Sequence, residues 1–433
     1  MTKATPLYAL TMTEAAAAIA AGGLTALALA DAQLARVAKT DAAIDAWETL
    51  DAAHVRACAR ASDDARGTGP LAGIGVGVKD IIATADLPTT MGSPIYAGHP
   101  PPHDAPCIAR LRAAGGYVFG KTVTTPFAFM DPGKTRNPWD PAHSPGGSSS
   151  GSAAAVAAGH VTAAVGTQTN GSVVRPAAYC GVVGFKPTQG AIPVAGVHPF
   201  SVSFDTVGTF ARRVEDAALL ASVLADPGRI APAITPLNGA PRLAYLAAFP
   251  WTQHDAAASA VVDTAVARLR GLAHVEPFAL APEWREANRI LRTIMLFEGA
   301  QALADLQARA RARLTPALNA ALDEGRAIEV PRYEEALAAR ARAIAHFSER
   351  LAGFDAVLAP SAPAAAPRGL STTGDPSCCT LWSLVGFPAL NLPVGMDGTL
   401  PIGLQLAALR GHDDRLLAVA AWCERALPFR GLV

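Results

Sequence analysis

The spacing of apolar and polar positions changes several times along the chain, and each change predicts a different element. Between residues 10 and 66, Ala and Leu recur with Arg and Asp at helical spacing and almost without β-branched runs. That pattern predicts helices over Thr13–Ala21, closed by Gly22, and from Thr25 to about Ala38. From Leu71 short apolar runs punctuated by Gly take over. GIGVGVKDII (Gly73–Ile82) and GGYVFGKT (Gly115–Thr122) predict buried strands, with a helix over Ala105–Ala114 between them. The Gly/Ser-rich segment Pro145–Ser152 runs straight into a predicted helix at Ala153–Ala158, so it is no interdomain linker. Pro-rich residues 226–240 read as a connection, and Pro282 to about Leu351 as helices broken at Gly325 and Pro331. Strand texture resumes at Phe354 with AVLAPSAPAAAP, FPALNLPVG and PIGLQLAAL, and a last helix follows His412. Strands alternating with helices predict an α/β fold, a three-layer α/β/α sandwich around a mixed central sheet. Residues 1–433 read as a single large domain without internal repeats. In this reading a helical part at about 10–66 wraps a core at about 67–225, and a helical excursion at about 282–351 overhangs the site.

Composition narrows the function classes. The chain has 433 residues, zero formal net charge, 51% hydrophobic residues and only 17% charged ones, against ~25% charged in typical soluble proteins. That balance excludes disorder, and zero net charge leaves no global basic field for nucleic acid. No window of ~20 uninterrupted apolar residues would span a membrane. Ala15–Ala30 resembles a signal segment in composition, but Lys3 is the sole early positive charge, Glu14 opens the run and Gly22-Gly23 break it. None of the six cysteines forms a CxxC pair, and adjacent Cys378 and Cys379 read as packed thiols. The expected location is a reducing cytoplasm. The sequence leaves the oligomeric state open, a homodimer included.

Two motif matches carry little. GGYVFGKT satisfies the Walker A pattern, yet Tyr117-Val118-Phe119 is strand-like inside the supposed loop, and Thr122–Pro126 is a poor helix start. His99 and His103 have helical spacing, but three prolines intervene, so they make a weak metal site.

The distinctive segment is PGGSSSGS (Pro145–Ser152), followed by GTQTNGSVVRPAAYCGVVGFKPT (Gly166–Thr188). It contains two serine-bearing Gly turns at short range and no histidine. This stretch resembles the amidase signature family, whose motif reads roughly GGSSGGS…G(S/T)DTGGSIRxPA. TRNPWD (Thr135–Asp140), GFPALNLP (Gly386–Pro393) and LPIGLQL (Leu400–Leu406) agree with it in order. The resemblance covers roughly residues 10–225 and 350–430. It implies a Ser–cis-Ser–Lys triad with Ser172 as nucleophile, Ser148 as bridging serine and Lys79 as buried base. It also implies an oxyanion hole from the backbone of Thr169, Asn170, Gly171 and Ser172, with Gly147 and Ser149 in support. No cofactor or metal is implied. The expected partner is a small-molecule amide, hydrolysed to acid plus ammonia or amine through an acyl-serine.

The physical case stands beside the family name. A serine hydroxyl needs a base, and a lysine with reference pKa of ~10.4 is a base near neutrality only when burial disfavours its charge. Lys79 ends the apolar run Ile74–Val78, where such burial is plausible. Other readings are a carbamate or urea-type hydrolase, or an A-type amidotransferase component working with partner chains. A catalytically dead binding protein is disfavoured, because Lys79, Ser148 and Ser172 are all present. Departures from the pattern sit at Gln168 (usually Asp), Asn170 (usually Gly), KDII for KDN, and Arg175, three residues after Ser172 rather than two. Arg175 reads either as a ligand for a substrate carboxylate or as a brace for the oxyanion loop. Phe127, Phe129 and Met130 read either as lining of the acyl-side pocket or as core.

Overall fold

The computed structural model describes residues 5–65, 68–98, 100–429 and 431–433. Lys3 and His99, and Arg66 and Gly67 at the expected helical-to-core boundary, lie outside them. Eleven strands form one sheet: β1 (Trp47–Thr49), β2 (Gly75–Lys79), β3 (Tyr117–Thr122), β4 (Ala163–Gln168), β5 (Val183–Lys186), β6 (Thr206–Ala211), β7 (Arg242–Tyr245), β8 (His274–Pro277), β9 (Ala356–Pro360), β10 (Ala389–Asp397) and β11 (Leu400–Ala407). Their order is β1-β3-β2-β4-β6-β5-β10-β11-β9-β7-β8. β2 runs parallel to β3 and β4, and β7 parallel to β8 and β9; the remaining pairs are antiparallel. The sheet is therefore mixed.

Side chains alternate between its faces, as the two-residue period of a strand requires. Val76, Val78, Val118, Val165, Leu358 and Leu404 enter one cluster, with helices Pro106–Ala113, Val214–Leu224 and Asp413–Ala426. Tyr117, Phe119, Ala164 and Phe210 enter another, with helices Ala26–Ile44 and Ser150–Ala157. Val357 and Ala359 join a third, with helices Ser377–Val385 and Val330–Leu351. Helices thus cover both faces, which accounts for the continuous burial of β2 through β6. Among the described residues no helix is long and apolar enough to cross a membrane.

Most predicted elements are present. The first two helices are Met12–Ala20 and Ala26–Ile44, and Thr11 and Glu14 form a reciprocal capping box on the first. Tyr117–Thr122 of the Walker-like stretch is a fully buried strand, which removes the phosphate-loop geometry. One correction concerns residues 10–66, which are not wholly helical. Trp47–Thr49 pairs antiparallel with β3 as an edge strand. A three-residue strand held by pairing with residues over seventy positions away leaves no local periodicity to read.

Candidate active site

Lys79 is the last residue of β2, at the carboxyl edge of the parallel strands β2 and β4, where open α/β sheets place their ligands. It is wholly buried. Its Nζ lies 2.7 Å from Ser148 Oγ and 2.7 Å from Thr167 Oγ1. Burial pushes its pKa well below the ordinary lysine value; the Asp205 charge opposes that shift and the Arg175 charge adds to it. Ser148 is also buried, and the peptide joining it to Gly147 is cis. The neighbouring serines hold the loop down. Ser149 Oγ donates to the Thr167 carbonyl at 3.1 Å, Ser150 Oγ to the Gly146 carbonyl at 2.7 Å, and Ser152 Oγ to the Val165 carbonyl at 3.0 Å.

Ser172 lies on the turn between β4 and the helix Val174–Cys180, two residues before that helix begins, and is partly exposed. Among the described residues its hydroxyl makes no hydrogen bond, and the backbone N–H groups of Thr169, Asn170, Gly171 and Ser172 have no protein acceptor. Such unpaired donors on one turn suit an incoming oxyanion. A Cβ on Gly171 would sit 3.0 Å from Pro376 Cβ and 3.3 Å from Cys379 Sγ, so the turn packs tightly against the start of the Ser377–Val385 helix and a side chain there would have to push a neighbour aside.

The departures from the family pattern acquire physical content. Gln168 Oε1 accepts the N–H groups of Val173 at 2.8 Å and Val174 at 3.0 Å, while its Nε2 donates to Ser383 Oγ at 3.1 Å. An uncharged amide thus serves as acceptor at the helix start. Asn170 is held through its carbonyl by Ser383 Oγ at 2.5 Å and through its Oδ1 by Thr380 Oγ1 at 3.1 Å. Thr380 Oγ1 is also 3.1 Å from Oδ1 of Asn288, on the helix Ala287–Ala302, so Thr380 links the helical excursion to the turn at Asn170.

Arg175 is buried, and its Nε has no hydrogen-bond partner among the described residues. Its guanidinium donates to the Gly147 carbonyl at 2.6 Å, the Gly374 carbonyl at 2.9 Å and Thr373 Oγ1 at 3.2 Å. These are the contacts that the brace reading requires. Phe127 and Phe129 are buried in a cluster with Phe200, Leu296, Leu303 and Leu318, between the turn after β3 and the excursion. Met130 is 56% exposed and stands outside that cluster, so it is not a core residue. Phe127 and Ala128 both adopt positive φ at this turn.

Sequence reasoning missed Thr167 and Asp205. Asp205 Oδ1 accepts from Thr169 Oγ1 at 2.6 Å, and its Oδ2 accepts the N–H groups of Phe200 at 2.8 Å and Ser201 at 2.9 Å. It therefore ties the turn at Thr169 to the segment before β6. The only signal in the chain was an acidic residue inside an otherwise uncharged stretch, SVSFDTVG.

Comparison with known proteins agrees with this arrangement. Residues 28–417 match the family profile described as Amidase. The A-type component of the glutamyl-tRNA(Gln) amidotransferase of Roseiflexus castenholzii is 34% identical, over 97% of this chain and 96% of that protein. The native peptide amidase of Stenotrophomonas maltophilia is 30% identical, with a TM-score of 0.82 over 97% of each chain. A chain from a vestigial protein complex bearing on the origins of an s-triazine catabolic enzyme gives a TM-score of 0.88 at 27% identity, over 98% of this chain and 100% of that one. With the profile spanning most of the chain and relatives at 30% identity or more aligned along nearly all of it, the protein belongs to the amidase family of C–N hydrolases.

Proposed function

We propose that the protein hydrolyses a small aliphatic or aryl carboxylic amide to the acid and ammonia or an amine through an acyl-Ser172 intermediate. The observation that carries this reading is the 2.7 Å contact between the buried Lys79 Nζ and Ser148 Oγ, on the loop whose Gly147 carbonyl accepts from Arg175, three residues after Ser172. Neutral Lys79 takes the Ser148 proton while Ser148 takes the proton of Ser172, because one hydroxyl donates and accepts at once. The Ser172 oxygen then bonds to the amide carbon, and the carbonyl electrons move onto oxygen facing the N–H groups of residues 169–172. On collapse the C–N bond breaks, and the proton on Lys79 returns through Ser148 to the leaving nitrogen. Water attacks the ester by the same relay and restores Ser172. Side chains supply every proton transfer, so the reaction draws on no cofactor. One sheet running through both halves of the sequence supports reading the chain as one catalytic domain, and the free cysteines suit a reducing cytoplasm.

A second reading rests on the 34% identity to an A-type amidotransferase component: the same site would release ammonia from glutamine for partner chains. A panel of anilides, aliphatic amides, malonamate, carbamates and glutamine separates the readings by ammonia or amine release. Turnover of simple amides by the isolated chain supports the hydrolase, and release from glutamine alone supports the amidotransferase. A fluorophosphonate should label wild type at Ser172 and leave Ser172→Ala unlabelled; labelling of another serine would overturn the assignment.

A further inference from the structure

A cavity of about 460 Å³ opens between the segment around residues 194–205 and the helices Ala287–Ala302 and Val330–Leu351. Its walls are apolar and partly aromatic. Phe297 stacks on Tyr333 with ring centroids 4.1 Å apart, and Phe200 lies 5.4 Å from Phe129 on its other side. Two of the six exposed large apolar side chains among the described residues, Val194 and Val202, flank its mouth. Asp205 and Glu298 also line it, and both carboxylates are engaged. Glu298 accepts from the hydroxyls of Ser201 and Ser203, from the Ser203 N–H at 3.0 Å and from the Tyr333 hydroxyl at 2.9 Å. Asp205 holds Thr169, at the start of the oxyanion turn, and its charge acts on Lys79. One residue of the cavity wall, Asp205, is therefore hydrogen-bonded to the turn that leads to Ser172.

We propose that this cavity is the subsite for a neutral aryl or comparably bulky apolar group of the amide substrate. Three observations select that occupant. The volume lies within the ~300–1,000 Å³ range of small-molecule sites and exceeds the ~150 Å³ that holds one benzene ring. The aromatic walls favour a π-face. The two carboxylates repel an anionic group, so a half-amide of a dicarboxylic acid gains nothing by entering. The inference rests on the amide-hydrolase reading and gives it a substrate class. It also gives the helical excursion a role, since Phe297, Glu298 and Tyr333 all belong to it.

The test fills the cavity from its exposed rim. Ala302 lines it from the exposed side of its helix, so Ala302→Trp adds bulk without removing a core contact. Val202→Glu, on an 84% exposed residue, adds a charge at the mouth and guards against a folding artefact in the first variant. The kcat/KM ratios of benzamide to acetamide and of acetanilide to acetamide are read for wild type and both variants. At least one ratio should fall tenfold or more in both variants. A fall for benzamide places the ring on the acyl side, and a fall for acetanilide on the amine side. Unchanged ratios for both aryl amides overturn the proposal. Calorimetric titration of the Ser172→Ala protein with benzamide and acetanilide separates failure of the subsite from failure of the hydrolase reading. Saturable one-to-one binding, weakened at least tenfold by Ala302→Trp, supports the subsite even if no amide is turned over. Absence of saturable binding, or binding that the tryptophan leaves unchanged, overturns it.

Discussion

Replacing Arg175 by Met separates a brace from a substrate ligand. The guanidinium holds the carbonyl of Gly147, which precedes the bridging Ser148, and the carbonyl of Gly374, on the loop packed over the nucleophile helix. Methionine keeps most of the side-chain bulk and removes every donor. The buried Gly147 carbonyl left unpaired costs ~1–3 kcal/mol and the part-buried Gly374 carbonyl less, so the two together cost at most ~6 kcal/mol. Relief from burying a charged group offsets part of that. The unfolding free energy in urea should therefore fall by about 2–4 kcal/mol, the middle of the range left by these opposing effects. Loosening the Ser148 peptide should also lower turnover, because a displacement of ~1 Å in a catalytic group costs ~10²-fold. The loss should be the same for malonamate and for a neutral amide of similar size, since no substrate carboxylate is involved. A loss confined to malonamate, of the ~1.5–3 kcal/mol expected for one hydrogen bond to a charged group, with unfolding unchanged, would refute the reasoning and return Arg175 to substrate binding.

Turnover should rise with pH through the titration of Lys79, with its midpoint below the ordinary value of 10.5, because only the neutral amine accepts a proton; a flat profile across that limb would remove Lys79 from the relay. Asp205→Asn removes the charge that favours protonated Lys79, so the acid limb should move to lower pH. The same variant should lose ~10-fold or more in kcat through weakened hold on Thr169, and an unmoved limb with unchanged kcat would count against the link. His160 is buried between Trp47 and Thr40, with its pKa pushed down by burial to about 3. A depressed folded pKa means stability is full above the unfolded value of 6.5 and is lost as pH falls toward 3, so His160→Gln should flatten that part of the stability curve measured in urea.

Much of the scaffold and the three principal side chains were legible along the chain because their signals are local. Short apolar runs with Gly on their flanks mark β2 and β3, and the apolar approach to Lys79 already implied burial of an amine. The Gly/Ser turns at 146–152 and 169–172 marked Ser148 and Ser172 by motif. Other features had no local signature. Trp47–Thr49 is a strand only because β3 offers it an edge. Arg175 meets carbonyls 28 positions before it and 199 after it, which no local pattern around it reports. Glu298 reaches back 95 and 97 positions to Ser203 and Ser201, and Asp205 reaches back 36 to Thr169. Periodicity reports which face of an element is buried. It does not report which distant polar group arrives there. A buried charge must find its partners wherever the packed elements bring them, so the chain determined the strands and helices and pointed to Lys79, Ser148 and Ser172, and tertiary packing alone decided what holds the turn at residues 169–172 in place and which cavity has Asp205 in its wall.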